Sequence, residues 1–298
     1  MIINQETPSL KWRTGREPCG LFVCDFDGTL LRSDRSFSTA DLDVLKRLGA
    51  LGIIRVIATG RSIYSLNMID ISALPVDFIV FSSGAGIMRH PGDRIIRKVS
   101  LESHEVKRAI RILRANRLDF MVHQPIPDNH VFSYFESTPD NPDFKRRIAL
   151  YGQFAKPLDP TADGFGPATQ LLAIVPPAEN LPLLEIIREK LPDFNVIHTT
   201  SPLDAQSTWI EIFPASVSKS RAAAWLNEAL GLNSDQTLSV GNDYNDLDLL
   251  EWAGSSFVVE NAPQDLKARF AVVASHDENG VTEAVERWLT SSHFKHQK

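Results

Sequence analysis

Leu21-Phe22-Val23-Cys24-Asp25-Phe26-Asp27-Gly28-Thr29-Leu30 opens with four apolar residues and then presents two carboxylates, a glycine and a hydroxyl. So short an apolar run reads as a buried strand, and the polar residues after it as the loop at its carboxyl end. A helix from near Thr39 to Gly49 completes a β-loop-α unit. The unit recurs: Ile53–Ala58 leads into Thr59-Gly60-Arg61 and a helix, and Phe78–Phe81 leads into Ser82-Ser83-Gly84. Late in the chain a helix over Lys219–Leu230 precedes the strand Thr237–Val240 and the loop Gly241-Asn242-Asp243-Tyr244-Asn245-Asp246. Strands at Phe257–Val259 and Ala271–Val273 and a helix ending near Trp288 finish that half. Buried strands alternating with helices predict one parallel sheet with right-handed crossovers, shared by both halves.

Between the halves, residues 91–203 follow another rule. Strand-like runs at Phe120–Val122, Val131–Phe135, Leu171–Val175 and Asn195–Ile197 mix with helical patterns at Glu102–Asn116 and Glu179–Leu191. Pro125, Pro127, Pro139, Pro142, Pro157, Pro160 and Pro167 gather here and mark turns, so an inserted α+β domain is expected. The chain length of 298 residues suits two domains. The boundaries expected are a leader over 1–20, a core over 21–90 and 204–298, and an insert over 91–203. Met1–Gly20 lacks the apolar stretch of a signal peptide and is read as lying outside the fold.

A net charge of −6 argues against broad binding of nucleic acid or anionic membrane and leaves a small molecule as the expected partner. No apolar run is long enough to span a bilayer. Cys19 and Cys24 form no disulfide framework, which fits a reducing cytoplasm.

Ligands of open parallel sheets bind beyond the carboxyl ends of the strands, and the unusual polar residues fall at such ends. Asp25, Asp27, Thr59, Ser83, Asn242 and Asp246 are therefore expected around one crevice. Asp25 and Asp27, with the Gly28-Thr29 turn, can hold Mg2+ and phosphate together, although a helix-capping turn uses the same residue types. Thr59-Gly60-Arg61 offers a hydroxyl, a close-approach glycine and a cation to a phosphate, and also describes an N-cap turn. Lys219 opens a helix, where the helix dipole disfavours a cation, so it calls for a counter-anion or stands solvated. The loop 241–246 carries more carboxamides and carboxylates than one cap uses.

With these residues in order, the chain resembles the haloacid dehalogenase superfamily, in particular its Cof-type phosphatases with a large α/β cap. Asp25-Phe26-Asp27-Gly28-Thr29-Leu30 resembles the first family motif, Thr59-Gly60-Arg61 the second, Lys219 the third and Gly241–Asp246 the fourth, over roughly Leu21–Leu289. The resemblance implies an α/β fold, a Rossmann-like parallel-sheet core with the inserted α+β segment as its cap. It implies Mg2+-dependent hydrolysis of a small phosphorylated metabolite, a sugar phosphate or phosphorylated cofactor. In it Asp25 is the phosphoryl acceptor, Asp27 the general acid and base, and Thr59 and Lys219 hold phosphoryl oxygens. Gly28, Gly60, Arg61, Ser83, Gly84 and Asn245 become substrate-binding candidates, and Asp25, Asp27, Asn242, Asp243 and Asp246 candidates for the metal.

Two positions depart from the family pattern. Asn242 stands where Asp is common, which predicts weaker metal binding unless Asp243 or Asp246 compensates, and Ser83 stands where many relatives have Asn. In the insert, His123, Asp128, Asn129 and His130 are candidates for leaving-group contacts, and equally for a polar turn around Pro125 and Pro127. The competing functions are a phosphotransferase or mutase using the same Asp25, and a poorly catalytic module that binds a phosphorylated metabolite. A nucleotide-dependent redox enzyme is disfavoured, because no Gly-x-Gly-x-x-Gly follows the first strand. A monomer or homodimer is expected.

Overall fold

The computed structural model describes residues 10, 17–92, 94–159, 165–177 and 180–291. Its strands, in chain order, are β1 (Gly20–Asp25), β2 (Ile53–Ala58), β3 (Phe78–Phe81), β4 (Gly86–Arg89), β5 (Arg94–Lys98), β6 (Asp119–His123) and β7 (Phe132–Phe135). They continue as β8 (Ala155–Pro157), β9 (Gln170–Val175), β10 (Phe194–Thr200), β11 (Thr208–Pro214), β12 (Thr237–Gly241), β13 (Ser255–Val259) and β14 (Ala271–Val273). The described residues divide into two compact units. The first takes its residues from 1–60, 69–96 and 218–298, the second from 61–68 and 97–217.

The first unit holds an eight-stranded sheet in the order β14-β13-β12-β1-β2-β3-β4-β5. From β14 through β3 all neighbours are parallel, and β4 turns back antiparallel to β3. Every residue of β1 is buried, as expected for a central strand covered on both faces. The register pairs Cys24 with Val240, Asp25 with Ala58 and Ala58 with Val80, so the carboxyl ends of β12, β1, β2 and β3 finish level. That alignment positions the site.

The helix Thr39–Ala50 is capped by Ser38, whose side chain accepts from the N–H groups of Ala40 and Asp41. The helix Lys219–Leu230 starts at Ser218, which accepts from Arg221 N–H, and stops at Gly231 in the left-handed region, φ 71°.

The second unit is a six-stranded sheet ordered β10-β11-β9-β6-β7-β8, antiparallel except between β7 and β8. Its side chains sort by alternation. Phe120, Leu171, Ala173, Val175, Ile210 and Ile212 join one core with the helix Ser103–Ala115, while Met121, Leu172, Ile174 and Trp209 join another with Phe144 of the helix Pro142–Leu150. Two covered faces explain why Gln170–Val175 reads as an unbroken buried run.

The sequence boundaries shift on three counts. Thr208–Pro214, assigned above to the core, forms β11 and pairs with β9 and β10 in the second sheet. Arg94–Lys98, assigned to the insert, forms the edge strand beyond β4, and residues 61–68 belong with the second unit. The leader is corrected in part: Leu10 donates its N–H to Ala229 O and packs on the core, Cys19 N–H reaches Gly52 O, and Gly20 already belongs to β1. The rest of the expected leader, 1–9 and 11–16, lies outside the described residues. Cys19 and Cys24 are not joined in a disulfide. Among the described residues no helix is long and apolar enough to cross a membrane.

Candidate active site

β1 ends on Asp25, which is 5% exposed, and the chain turns back at once: the N–H groups of Leu30 and Leu31 both donate to Phe26 O. The turn passes through Gly28 at φ 72°, a conformation that favours glycine. A Cβ there would also lie 2.7 Å from Asn242 Nδ2, so the loop after β12 presses directly on the Asp25–Thr29 turn.

Lys219 is fully buried at the start of its helix, where a cation is out of place unless something holds it. Its Nζ donates to Asp25 Oδ1 at 2.6 Å and to Asp246 Oδ1 at 2.5 Å. Burial alone would push the ammonium down, but Asp246 and Asp25 overrule it and keep Lys219 above its ordinary value. Asp25 moves the other way from a usual salt-bridged acid. Burial, and then the charge of Asp246, raise its carboxyl to about 7 against the opposing pull of Lys219. The neighbouring Cys24 thiol is raised by burial and by Asp25, and it donates to Asp25 O.

The fourth-motif loop divides its work. Asp246 Oδ2 accepts the N–H groups of Asn242 at 2.9 Å and Asp243 at 3.2 Å, while its Oδ1 holds Lys219. Asp246, one of the expected metal candidates, thus holds the ammonium with one oxygen and the loop backbone with the other. Asp243 caps the turn Tyr244–Asp246 with its side chain, and Asn245 sits half-buried within that turn. Asn242 is the residue that faces the first loop: Thr29 Oγ1 donates to its Oδ1 at 3.2 Å. Gly241 precedes it because a Cβ would meet the Asp246 carboxylate at 2.7 Å.

At the end of β2, Thr59 is buried, and its carbonyl accepts Ser83 N–H at 3.0 Å. Ser82 and Ser83 both take positive φ, 50° and 53°, in the left-handed region that non-glycine residues adopt at a cost of about 1 kcal/mol or more each. Ser83 Oγ packs 3.5 Å from the Cβ position of Gly60, joining the second-motif loop to the end of β3. Gly84, proposed above as substrate-binding, has a packing role: a Cβ would lie 2.2 Å from Ser218 O, just before Lys219. Arg61 falls in the second unit, where its guanidinium donates to Ser65 O and Ser65 Oγ.

In the second unit, His123 donates through Nδ1 to Asn129 O at 2.8 Å, and Asp128 and Val131 complete a closed turn, as the turn reading of this stretch expects. Burial first, and Arg147 second, push His123 down to about 3, so its ring is neutral. His130 stacks on Tyr64 at 4.7 Å.

Sequence reasoning missed Asn261, whose Nδ2 donates to Gly28 O at 2.8 Å and whose Oδ1 accepts His276 N–H. It lies just after β13, so the strand-end rule that found Asp25 and Thr59 applies to it also.

The donors around the turn suit Mg2+, which takes hard oxygens from one or two carboxylates plus waters and substrate. Among the described residues no three His, Cys, Asp or Glu side chains converge closely enough to hold a metal by themselves. Burial first and Asp246 second raise Asp25 even with Lys219 beside it, and the Asn242 amide supplies a neutral oxygen to the neighbouring turn.

An acidic site at the strand ends of a parallel sheet defines an α/β enzyme. The chain belongs to the haloacid dehalogenase-like hydrolases, whose family model matches residues 22–285, and within them it is a Cof-type phosphatase. It is 26% identical over 290 residues to the 5-amino-6-(5-phospho-D-ribitylamino)uracil phosphatase YwtE of Bacillus subtilis (strain 168), covering 90% of this chain and 98% of that protein. A haloacid dehalogenase-like hydrolase from Bacteroides thetaiotaomicron shares the fold with a TM-score of 0.65 at 22% identity, over 92% of this chain and 100% of its own. A sugar phosphatase of HAD subclass IIB does so with a TM-score of 0.70 at 19% identity, over 90% and 98%.

Proposed function

We propose that the protein is a Mg2+-dependent phosphomonoester hydrolase for a small phosphorylated metabolite, a sugar phosphate or a phosphorylated cofactor, and that Asp25 carries the phosphoryl group between two half-reactions. The observation behind this reading is the buried triad in which Lys219 bridges Asp25 and Asp246, assembled at the end of β1 from residues 194 and 27 positions apart. A lone buried carboxylate would be protonated and inert as a nucleophile; the ammonium opposes that and pulls Asp25 back toward the anion.

In the first half-reaction an Asp25 oxygen attacks phosphorus while the bond to the ester oxygen breaks, and Asp27, more open than Asp25, gives its proton to the leaving alcohol. In the second, Asp27 takes a proton from water, the water oxygen attacks phosphorus, and the bond to Asp25 breaks to release phosphate. Lys219 has three N–H donors, two of them committed to Asp25 and Asp246, and the third would serve a phosphoryl oxygen. Thr59 gives a second donor to the same group. The Asp25 carboxylate, the Asp27 backbone carbonyl and the Asn242 side-chain oxygen would hold Mg2+, which supplies positive charge against the substrate dianion.

The net charge of −6 supports a small metabolite over nucleic acid or a membrane surface, and a cytoplasmic monomer or homodimer is the proposed working form. The relative YwtE carries in its name a phosphorylated ribitylamino-uracil, so that compound belongs in the first substrate panel. Phosphate release from p-nitrophenyl phosphate and a metabolite panel, with and without Mg2+, tests the reading. Release that depends on Mg2+ and is lost in Asp25→Asn is expected; equal release by Asp25→Asn contradicts it. Phosphate transferred to an added alcohol in place of water would make the enzyme a phosphotransferase.

A further inference from the structure

Gly28, the pivot of the Asp25–Thr29 turn, is flanked by two carboxamides from different loops. Asn261 Nδ2 donates to Gly28 O at 2.8 Å, and Asn261 is itself fixed because its Oδ1 accepts His276 N–H at 3.2 Å. On the other side, Asn242 Nδ2 stands 2.7 Å from the Gly28 Cβ position, with Asn242 Oδ1 accepting from Thr29 Oγ1 at 3.2 Å. The loops after β12 and β13 thus fasten the turn after β1 with neutral groups. An aspartate at 242 would have a similar shape but would add a negative charge beside Asp25, Asp27, Asp243 and Asp246. In a half-buried loop that repulsion favours a cation; the amide does not need one.

We propose that Asn242 and Asn261 form a carboxamide clamp that holds the Asp25–Thr29 turn in its working shape before any divalent cation arrives, and that Asn242 gives up cation affinity for this metal-independent order. Both are positioning residues. The significance of the clamp for catalysis rests on the phosphatase reading above; its existence does not.

Hydrogen exchange on the full chain in EDTA tests the clamp without turnover. The amides to follow are those of Thr29, Leu30 and Leu31, which donate to Phe26 O. Asn242→Ala and Asn261→Ala are each expected to speed their exchange by about fivefold or more, with β2 unchanged as the internal control for global stability. Unchanged exchange at the turn in both variants overturns the clamp. Asn242→Asp keeps an acceptor for Thr29 and exchanges the Nδ2 amide for a charged oxygen of similar size, so it probes the second half of the proposal. Mn2+ used as a probe, followed by its electron spin resonance, is expected to bind Asn242→Asp about tenfold more tightly than the wild type. The metal-free melting temperature of that variant is expected to fall by a few degrees, roughly, and recover with Mn2+. Equal or weaker Mn2+ binding, including none to either protein, overturns the charge half. A protein that shows these shifts yet releases no phosphate keeps the clamp and sinks the phosphatase reading, so the two failures are distinct.

Discussion

Asp25 and Asp119 are both aspartates at strand ends, buried to 5% and 2% exposure, one in each unit, and their surroundings are opposite. Asp119 accepts from Ser137 N, Thr138 N, Thr138 Oγ1 and Asn141 Nδ2 at 2.6–3.0 Å, and Asn141 also ties to Ile174 O. Its charge is dispersed over neutral local donors, which fix the loop leading into the helix Pro142–Leu150. Asp25 shares the Lys219 ammonium with Asp246, and its carboxyl is pushed up to about 7 by burial and by Asp246. A buried acid saturated by neutral donors is built for stability. One raised by burial and by a second carboxylate suits the cation and the reaction proposed for this site.

Removing each acid separates the two jobs most sharply. Asp25→Asn should lower phosphate release by about a thousandfold or more while the protein still folds, since one like-charge repulsion disappears. Asp119→Ala should do the reverse. It strands buried donors and should cost about 2–4 kcal/mol in denaturant unfolding, with kcat per folded molecule unchanged. A large activity loss in folded Asp119→Ala would break the comparison.

Lys219→Met comes next. It leaves Asp25 and Asp246 facing each other without their counter-ion and should cost about 3–5 kcal/mol, the penalty of an uncompensated buried charge. Adding Asp246→Asn to it should restore part of that stability without activity, as read from unfolding midpoints of the two variants.

The second unit offers a pH test. His123 is held neutral, with its folded value about 3 below an unfolded value near 6.5. Between those limits the unfolded chain binds the extra proton, so stability is complete above about pH 6.5 and falls as pH drops toward 3. The slope from this residue approaches about 1.4 kcal/mol per pH unit, and His123→Gln should flatten it in urea titrations. An unchanged slope would show that His123 is not the group responsible. The smallest effect concerns the cap: Ser218→Ala removes the acceptor for Arg221 N–H and should cost about 1 kcal/mol in thermal unfolding.

The first unit was more legible in sequence than the second for a physical reason. Its strands are short apolar runs that end abruptly on Asp25, Thr59 and Asn242, so composition alone marks both strand and site. β11 was harder to see. Glu211 interrupts Trp209-Ile210-Glu211-Ile212-Phe213, and only its pairing with β9 and β10 brings it into the second sheet. The edge strand Arg94–Lys98 carries three basic residues, and edge position is a property of the assembled sheet. The helix Pro142–Leu150 was hidden among prolines read as turns, although Asn141 followed by Pro142 is itself a helix start. Within the site, four acids looked alike in sequence. Their separation into an ion-pair partner, a turn cap and a proposed nucleophile and acid comes from which backbone and side-chain donors face each one, and that depends on the register of β1 against β12.

In the proposed reaction Asp25 carries the phosphoryl group. Rapid acid quench of a single turnover, with mass mapping of the peptide containing Asp25, tests it directly. A transient phosphoryl adduct on Asp25 is expected, absent in Asp25→Asn and longer-lived in Asp27→Asn, where water activation is lost. An adduct on another residue, or wild-type turnover with no adduct on Asp25 at any quench time, would contradict it.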